Sequence, residues 1–329
     1  MSRIIRFHEL GGPEVLKIEQ VDVPPPGPGE IAVEIKAFGL NRAESMFRSG
    51  PYVETPDFPA RLGYEGAGVV TALGAGVNDF VPGDAVSVIP PLSITRWGSY
   101  GEVANFPAAV AVKHPSSLTW VEASGIWMQY VTAYGALIEI AKLARGDVVI
   151  ITAASSSVGL AAIQTARAVG AMPIATTRTS AKKSALLDAG AAHVIVTQEE
   201  DLARRVGEIT KGAGARIAFD PVAGPMLLQL AGAMAPNGIV IEYGALSREP
   251  TPLPLFPVLA KNLTLHGYQY KEVVRDQAQL DRAKRFVLDG LASGVLKPII
   301  DRVFAFDQIV EAHHYLESNQ QFGKIVVTV

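Results

Sequence analysis

The stretch ITAASSSVGLAA, residues 151–162, has the pattern expected where a protein binds a phosphate group. An apolar run ends at Ala154, three serines follow, and Gly159 lies in a run with helical spacing, which predicts strand, turn and helix. A helix start presents unpaired N–H groups and a positive dipole end, which suit a pyrophosphate. Ser156 can donate from its hydroxyl in place of a glycine's backbone contact. The alternative is a serine-capped helix of an α/β fold with no ligand.

The segment after the next predicted strand carries positive charge. In NAD sites an Asp or Glu about 20 residues further on binds the ribose 2′-hydroxyl. Between Ala171 and Leu187 there is no acid, whereas Arg178, Lys182 and Lys183 are present. A solvated basic helix start is the alternative, but cations there oppose the helix dipole. Because arginine can hold a phosphate with two donors, the pattern favours NADPH over NADH.

The rest of the chain must supply the elements that position these residues. With 329 residues it exceeds one core of ordinary size, so we expect two domains. In GEIAVEIKAFG apolar and polar residues alternate, and short apolar runs continue to about residue 120, which predicts an antiparallel β-rich domain. Beyond it, VVIITA, PIATT, HVIV, RIAFD and GIVIEYG alternate with helical segments, which predicts a parallel sheet.

Composition narrows the possible functions. Hydrophobic residues make up 49% and charged residues 19%, as in a folded globular protein. A net charge of −3 gives no reason to expect nucleic acid or an anionic membrane as a partner. Cysteine is absent, which excludes disulfides, thiolate zinc sites and thiol catalysis. With no apolar stretch of membrane-spanning or signal-peptide length, we expect a soluble cytoplasmic protein.

Three stretches resemble one known family: FGLNRAESMFRSGPY (38–52), GYEGAGVVTALGAGVNDFVPGDAV (63–86) and AASSSVGLAAIQTARAVGA (153–171). They are similar to the medium-chain dehydrogenase/reductase superfamily, and most of all to its zinc-independent, zeta-crystallin-like quinone oxidoreductase branch. The resemblance implies an α/β fold with a GroES-like β-rich catalytic domain from residues 1–122 and 268–329. It also implies a Rossmann domain with a doubly wound parallel sheet from residues 123–267. NADPH in the cleft between them and a homodimer through the Rossmann sheets are further implications.

The resemblance also indicates chemistry without metal. Zinc-dependent members have a Cys in a Gly-x-Cys stretch and a His in Gly-His-Glu, and the matching positions here are Asn41 and Tyr64. No pair among the six histidines has a metal-binding spacing with a nearby acid, so we expect them to be structural. Without a Lewis acid, hydride transfer favours an electron-poor acceptor, a quinone or an α,β-unsaturated carbonyl, over a simple alcohol.

Three side chains are predicted to act on this small-molecule electron acceptor. The resemblance implies Asn41 beside nicotinamide and substrate, donating or accepting a hydrogen bond; the alternative is a turn residue. Tyr52 is predicted to be a pocket wall or weak acid, and Tyr64 to border the site, with simple packing as the alternative for both. Met46 stands where the family has a tyrosine, which indicates a more apolar pocket.

The resemblance and the loop pattern together predict the cofactor-binding residues. Thr132 is implied near the nicotinamide phosphate side and Lys182 at the 2′-phosphate. Asn319 stands where relatives often have an arginine near the adenine, which leaves Arg178 as the compensating charge. The predicted set is Asn41, Thr132, Ser155, Ser156, Ser157, Val158, Gly159, Thr177, Arg178, Lys182, Tyr243, Gly244, Ala245 and Asn319.

Several alternatives stay open at this stage. Asp220 is expected to cap the following helix rather than to act as an acid, and Glu65 to orient the site or to be structural. The main hypothesis is an NADPH-dependent reductase of quinones or α,β-unsaturated carbonyls. The alternatives are an enoyl thioester reductase or a zinc-free alcohol dehydrogenase of the same superfamily, and a non-catalytic NADPH-binding sensor or structural protein.

Overall fold

The computed structural model describes residues 1–329, and the chain divides into two compact units. Unit 1 comprises Met1–Gln129 and Pro298–Val329, and unit 2 comprises Tyr130–Lys297. No helix of either unit combines the length and hydropathy that a bilayer span requires.

The first segment of unit 1 is mostly β-structure. Its elements are β1 (Ser2–Phe7), β2 (Lys17–Val21), β3 (Glu30–Gly39), α1 (Arg42–Ser49), β4 (Ala60–Arg61), β5 (Gly66–Leu73), β6 (Ala85–Val88), β7 (Val103–Pro107), β8 (Ala111–Lys113) and α2 (Trp120–Ala123). Strand β3 is the longest and pairs antiparallel with both β5 and β7. Its alternating residues Ile31, Val33 and Ile35 are buried, as the period of two predicts.

Helix α3 (Trp127–Tyr134) continues as a π-helical segment, Gly135–Ile140, and unit 2 then alternates strands and helices. Its elements are β9 (Val148–Ile151), α4 (Ser157–Val169), β10 (Met172–Thr177), α5 (Lys183–Asp188), β11 (His193–Val196), α6 (Leu202–Ile209), β12 (Ala215–Asp220), α7 (Met226–Ala233), β13 (Met234–Glu242), α8 (Leu255–Lys261), β14 (Thr264–Gly267), α9 (Lys271–Arg275) and α10 (Gln277–Ala292).

The six strands of unit 2 form one parallel sheet in the order β11-β10-β9-β12-β13-β14. The order reverses direction between β9 and β12, as in dinucleotide-binding sheets of the doubly wound type. Apolar strand residues such as Ile150 and Val240 pack with Leu202 and Leu230 of the helices in a common core.

The end of the chain returns to unit 1 as β15 (Ile300–Ala305), α11 (Ile309–Glu317) and β16 (Lys324–Thr328). Strand β16 pairs antiparallel with β3 and completes a seven-stranded sheet. This pairing brings the last residues of the chain beside the end of β3. The β-rich unit and the doubly wound unit together confirm the predicted fold class.

The unit boundaries lie at 129/130 and 297/298, whereas the sequence predicts 122/123 and 267/268. Helix α10 accounts for the second difference, because Arg282 Nε donates to Glu139 Oε1 at 2.8 Å and the Phe286 ring lies 5.1 Å from Tyr134. Residues 268–297 therefore pack with the parallel sheet unit. That independently folding domains meet at 122/123 and 267/268 stays a prediction.

Candidate functional site

Most of the predicted cofactor-binding residues of unit 2 lie at one edge of its sheet. Strands β9, β10, β12 and β13 run parallel, so their carboxyl ends share this edge. The loop after β9 is tied to both neighbours: Thr152 N donates to Phe219 O at 3.2 Å, and Ala154 N donates to Thr176 O at 3.4 Å. The edge includes the point where the strand order reverses, which is where ligands bind in such sheets.

Ser156 occupies a position that does not need glycine. Its backbone is extended, with φ −71° and ψ 160°, and it is the N-cap of α4. Gly159 N donates to Ser156 Oγ at 3.1 Å, which is the N-cap hydrogen bond expected of serine. The left-handed turn is made instead by Ala153, at φ 43°. The first-turn N–H groups of Ser157 and Val158 have no intrahelical acceptor, so they can face an anion.

Gly159 is required by close packing. A Cβ atom built on it would lie 2.6 Å from both Cα and O of Ala154 and 2.8 Å from Ala153 O. No side chain fits there without moving the helix from the loop. The one glycine retained in this motif therefore holds α4 against the end of β9.

Positive charge adjoins the serine loop, as the sequence predicts. Lys182 Nζ donates to Ser155 Oγ at 3.3 Å across the loops that follow β9 and β10. Arg178 follows directly on β10 and is exposed, and Thr177 Oγ1 donates to Thr179 O at 3.2 Å. The structure thus brings Ser155, Lys182 and the end of β10 together at one edge.

Two buried carboxyl groups stand behind the serine loop, at the ends of β12 and β13. Asp220 accepts from the hydroxyl of Thr152 and from the N–H groups of Val222 and Ala223, the latter at 3.1 and 2.8 Å. Burial raises the pKa of Asp220, and burial together with the charge of Asp220 raises the pKa of Glu242 far above its usual range. The pair therefore holds a proton at neutral pH, which lowers the negative charge near an anionic ligand.

Tyr243 directly follows β13 at the same carboxyl end of the sheet. Its ring stacks on Phe219 with 4.0 Å between centroids, and its N–H donates to Asp220 O at 2.9 Å. Burial, with the nearby carboxyl group of Asp220, raises the pKa of Tyr243 well above its usual value. Gly244 is needed for a close approach, since a Cβ there would lie 2.9 Å from Pro221 O. Gly244 and Ala245 are exposed.

In unit 1, Asn41 is the N-cap of α1 and is nearly buried. Glu44 Oε2 accepts from Asn41 N at 2.7 Å and from Tyr100 Oη at 2.6 Å, and Glu44 Oε1 accepts from Tyr64 N at 2.9 Å. Burial raises the pKa of Glu44 to about 7, against the opposing hydrogen bond from Tyr100. Glu44 therefore links two of the predicted catalytic residues, Asn41 and Tyr64.

A buried ion pair lies on the other side of Asn41. Lys324 Nζ donates to Asn41 Oδ1 at 2.8 Å and to Glu65 Oε1 at 2.5 Å, and Lys324 is fully buried. Glu65 Oε2 also accepts from Met128 N at 3.0 Å. The β3–β16 pairing accounts for the contact, because Leu40 N donates to Ile325 O at 2.9 Å next to both residues.

The structure also brings Tyr52 and Tyr64 together. Their hydroxyl groups lie 2.7 Å apart, with Tyr64 fully buried and Tyr52 partly exposed. Burial raises the pKa of Tyr52 to about 12. Tyr52 is therefore protonated at neutral pH and can donate a hydrogen bond.

The remaining two predicted residues are Thr132 and Asn319. Thr132 is buried in α3, and Asn319 follows α11, where its Oδ1 accepts from Arg42 Nη2 at 2.6 Å. Arg42 thus places a guanidinium group beside Asn319. Asp220 binds the N–H groups that follow its strand, whereas the N-cap of α7 is Pro225, so the expectation that Asp220 caps this helix was wrong.

Sequence reasoning missed Glu44, Tyr100 and Lys324. Each is contributed by a different part of the chain, and Lys324 lies 283 positions from Asn41. The one local signal was available at Glu44, since N-x-x-E before a helical run is typical of a capping arrangement. His313 is buried, with its Nε2 3.2 Å from Tyr100 Oη, and burial lowers its pKa to about 3.

Comparison with known proteins adds family context. The alcohol dehydrogenase GroES-like domain matches residues 27–135, and the family described as zinc-binding dehydrogenase matches residues 157–285. Quinone oxidoreductase 1 of Escherichia coli (strain K12) is 31% identical over 98% of both chains. The 2-haloacrylate reductase of a Burkholderia species is 29% identical over 98% of this chain and 97% of its own. The structure of Escherichia coli quinone oxidoreductase complexed with NADPH has a TM-score of 0.91 and 30% identity, and covers 99% of this chain and 100% of that one.

Proposed function

Because the chain belongs to the quinone oxidoreductase branch of the medium-chain dehydrogenase/reductase superfamily, we propose that it is an NADPH-dependent oxidoreductase. It reduces a quinone or an α,β-unsaturated carbonyl, and it does so without zinc. The observation that carries this proposal is at the carboxyl end of the unit 2 sheet, where Lys182 contacts the serine loop beside a capped helix start and Arg178 follows β10.

NADPH suits this edge in charge and in shape. The α4 N-terminus receives the pyrophosphate, with Ser155 and Ser156 as additional donors. Lys182 and Arg178 receive the 2′-phosphate, which NADH lacks. The proton that Glu242 keeps at neutral pH lowers the repulsion that two carboxylates would exert on this anionic cofactor.

The residues of unit 1 act on the acceptor. When bound, NADPH supplies a hydride, and an electron-poor acceptor takes it together with a proton from water. Asn41 stabilises negative charge that develops on the acceptor oxygen by donating from its side-chain nitrogen. Tyr52 and Tyr64 form a hydrogen-bonded pair that borders the acceptor.

Zinc independence is supported by the residues themselves. The chain has no cysteine, and Asn41 and Tyr64 stand where, by the resemblance, zinc-dependent members have two zinc ligands. No three His, Asp or Glu side chains come together in a group that could hold a metal ion. An electron-poor acceptor is the substrate class that does not need a Lewis acid.

A conjugated alkene is the second candidate acceptor, beside the quinone. It is favoured by the similarity to a 2-haloacrylate reductase and by Met46, a thioether where the resemblance implies a tyrosine. An enoyl thioester would be a variant of this chemistry. A simple alcohol or ketone is disfavoured by the same absence of a Lewis acid.

An acceptor panel tests the proposed function. NADPH oxidation is followed with 1,4-benzoquinone, an enone, an enoyl thioester and a simple ketone, each over a range of concentrations. We expect turnover with the quinone or the conjugated carbonyls and none with the ketone. NADPH binding without turnover on any acceptor would reject the enzyme and favour the sensor reading.

We also propose that the protein is a homodimer formed along β14, the outermost strand on one side of the unit 2 sheet. Strand β14 ends the strand order and so has one unpaired edge. Near it in the chain, α8 exposes Leu255, Phe256 and Leu259, at 49%, 81% and 68% of their surface. Large apolar side chains this exposed are typical of an interface.

A further inference from the structure

We propose that Lys324 is a positioning residue that turns the side-chain amide of Asn41 so that its nitrogen, rather than its oxygen, serves the acceptor. This rests on the proposed function for the role of Asn41. It also assigns to the buried Lys324 a task beyond its ion pair with Glu65.

The first step is the direction of the amide. A lysine ammonium group has donors and no acceptor, so the Asn41 atom that faces it must be the oxygen. Lys324 Nζ lies 2.8 Å from Asn41 Oδ1, an ordinary charge-assisted distance. The amide nitrogen must therefore point away from Lys324, and Asn41 can act on a substrate only as a donor.

The second step is the availability of that donor. Asn41 Nδ2 lies 3.3 Å from Glu65 Oε1 and 3.4 Å from both Gly39 O and Glu44 Oε1. These distances exceed the usual 2.7–3.2 Å range of N–H···O hydrogen bonds. The amide oxygen of Asn41 is held by a short hydrogen bond, whereas its amide nitrogen makes only long ones. The carbonyl oxygen of an acceptor can therefore accept a hydrogen bond from Nδ2 without displacing a strong one.

The third step is the rigidity of the lysine. Lys324 is fully buried, and its ammonium is also held 2.5 Å from Glu65 Oε1. Its stem passes Gly125, where a Cβ would lie 3.0 Å from Lys324 Cγ. Glu65 is fixed in turn by Met128 N at 3.0 Å. Each partner of the lysine is therefore anchored to the backbone.

Stability alone gives a weak reason for this arrangement. The four residues that follow Lys324 in β16 are apolar or Thr, and replacing a buried ion pair by apolar groups is often neutral or stabilising. Burying the Lys324 ammonium group costs desolvation free energy, and the function that this burial serves is the orientation of Asn41.

A double-mutant cycle tests the proposal. The variants are Lys324→Met, Asn41→Ala and their combination, with kcat and KM measured on the acceptor that wild type reduces best. We expect Asn41→Ala to lower kcat/KM about 100-fold, within the range for one lost donor to a developing oxyanion. Lys324→Met should lower it about 10-fold or more, mainly in kcat, and the double variant should be no worse than Asn41→Ala. Losses that multiply would contradict the proposal.

A matched control and a second readout separate a structural role from a positioning one. Arg48→Met removes another buried cation of unit 1, which contacts Glu317 and Gly11 O, and it should leave kcat unchanged. If Lys324→Met fails to fold, Lys324→Gln replaces it, because its amide can still donate to Asn41 and should keep part of the activity.

The orientation itself is measured without turnover. In asparagine-labelled protein, the side-chain NH₂ resonances of Asn41 are identified by their loss in Asn41→Ala. They should shift and exchange faster with water in Lys324→Met and stay in place in Arg48→Met. If wild type reduces no acceptor, the proposed function fails while this readout still decides on Lys324. Unmoved resonances in Lys324→Met would overturn the proposal.

Discussion

The serines of the loop after β9 fit because of the backbone conformation at individual positions. Ser156 is extended at φ −71°, so its Cβ is unstrained, while the left-handed turn falls on Ala153. At Gly159, by contrast, a Cβ atom would lie 2.6 Å from backbone atoms of Ala154. Ser156 and Ser157 therefore fit the turn and the start of α4 without strain, and they add hydroxyl groups there.

Removing the cationic side chains should change cofactor choice. We predict that Arg178→Ala combined with Lys182→Ala weakens NADPH binding far more than NADH binding, since only NADPH carries the 2′-phosphate. Each lost charge-assisted bond costs roughly 1.5–3 kcal/mol. Dissociation constants from nicotinamide fluorescence check this, with Lys211→Ala, an exposed lysine of unit 2 outside this segment, as control. Equal losses for both cofactors would refute the assignment.

Glu242 should make stability fall as pH rises. Its pKa is raised in the folded state, so above about pH 4.5, its ordinary value, the unfolded chain loses the proton that the folded chain keeps. The free energy of unfolding then decreases by at most about 1.4 kcal/mol per pH unit, and less for a half-buried group. We predict that Glu242→Gln flattens this slope in urea unfolding between pH 6 and 8.5. Exposed Glu249→Gln is the control, and parallel profiles for Glu242→Gln and wild type would contradict the prediction.

Elements of the parallel sheet could be predicted from the sequence because each apolar run is short and is followed by a turn. The segment 120–140 has continuous helical spacing in the sequence, but the structure divides it into α2, α3 and a π-helical segment. Strand β13 starts at Met234, within the stretch PMLLQLAGAMAP, whose apolar residues have helical spacing. In both places pairing or packing with distant residues decides the boundary, and local propensity does not record it.

The candidate site shows the same limit. The serine loop and its cations were predictable because they are local in sequence, with Ser155 and Lys182 only 27 positions apart. The surroundings of Asn41 were not predictable. In the sequence Lys324 is only the first residue of an apolar strand, and its contact with Asn41 depends on the pairing of β16 with β3. Buried polar contacts between residues so far apart in the chain depend on the strand topology, which the hydrophobic pattern of the sequence predicts only coarsely.

At the junction of α4 and the loop, one methyl group should be destabilising. Gly159→Ala would place Cβ 2.6 Å from backbone atoms, so the helix start must shift. We predict a loss of about 1–3 kcal/mol in unfolding free energy, together with weaker NADPH binding.

Gly207→Ala is the matched control, since this glycine lies within α6 and a Cβ there meets nothing within 4 Å. It should stabilise the protein by about 0.5–1 kcal/mol and leave NADPH binding unchanged. If both variants behaved alike, close packing at Gly159 would not be the reason for its presence.

On the scale of the whole molecule, self-association is the property to test. The exposed apolar side chains of α8 precede β14, one of the two edge strands of the sheet, and the net charge of −3 opposes association only weakly. We predict that wild type has twice the mass of one chain in light scattering. Phe256→Glu with Leu259→Glu should give single chains.

The control for this prediction is Val81→Glu, an exposed apolar position of unit 1, which should leave the mass unchanged. A wild type with the mass of one chain would reject the homodimer.

The central claim, a zinc-free reductase that uses NADPH, is tested most directly by NADPH oxidation with metal-free protein. Chelated protein is mixed with 1,4-benzoquinone and either NADPH or NADH, and the absorbance of the reduced cofactor is followed before and after zinc is added back. We predict turnover with NADPH at full rate without metal, a much lower kcat/KM with NADH, and no gain from zinc. Activity that appears only with zinc, or that is equal for both cofactors, would contradict the account.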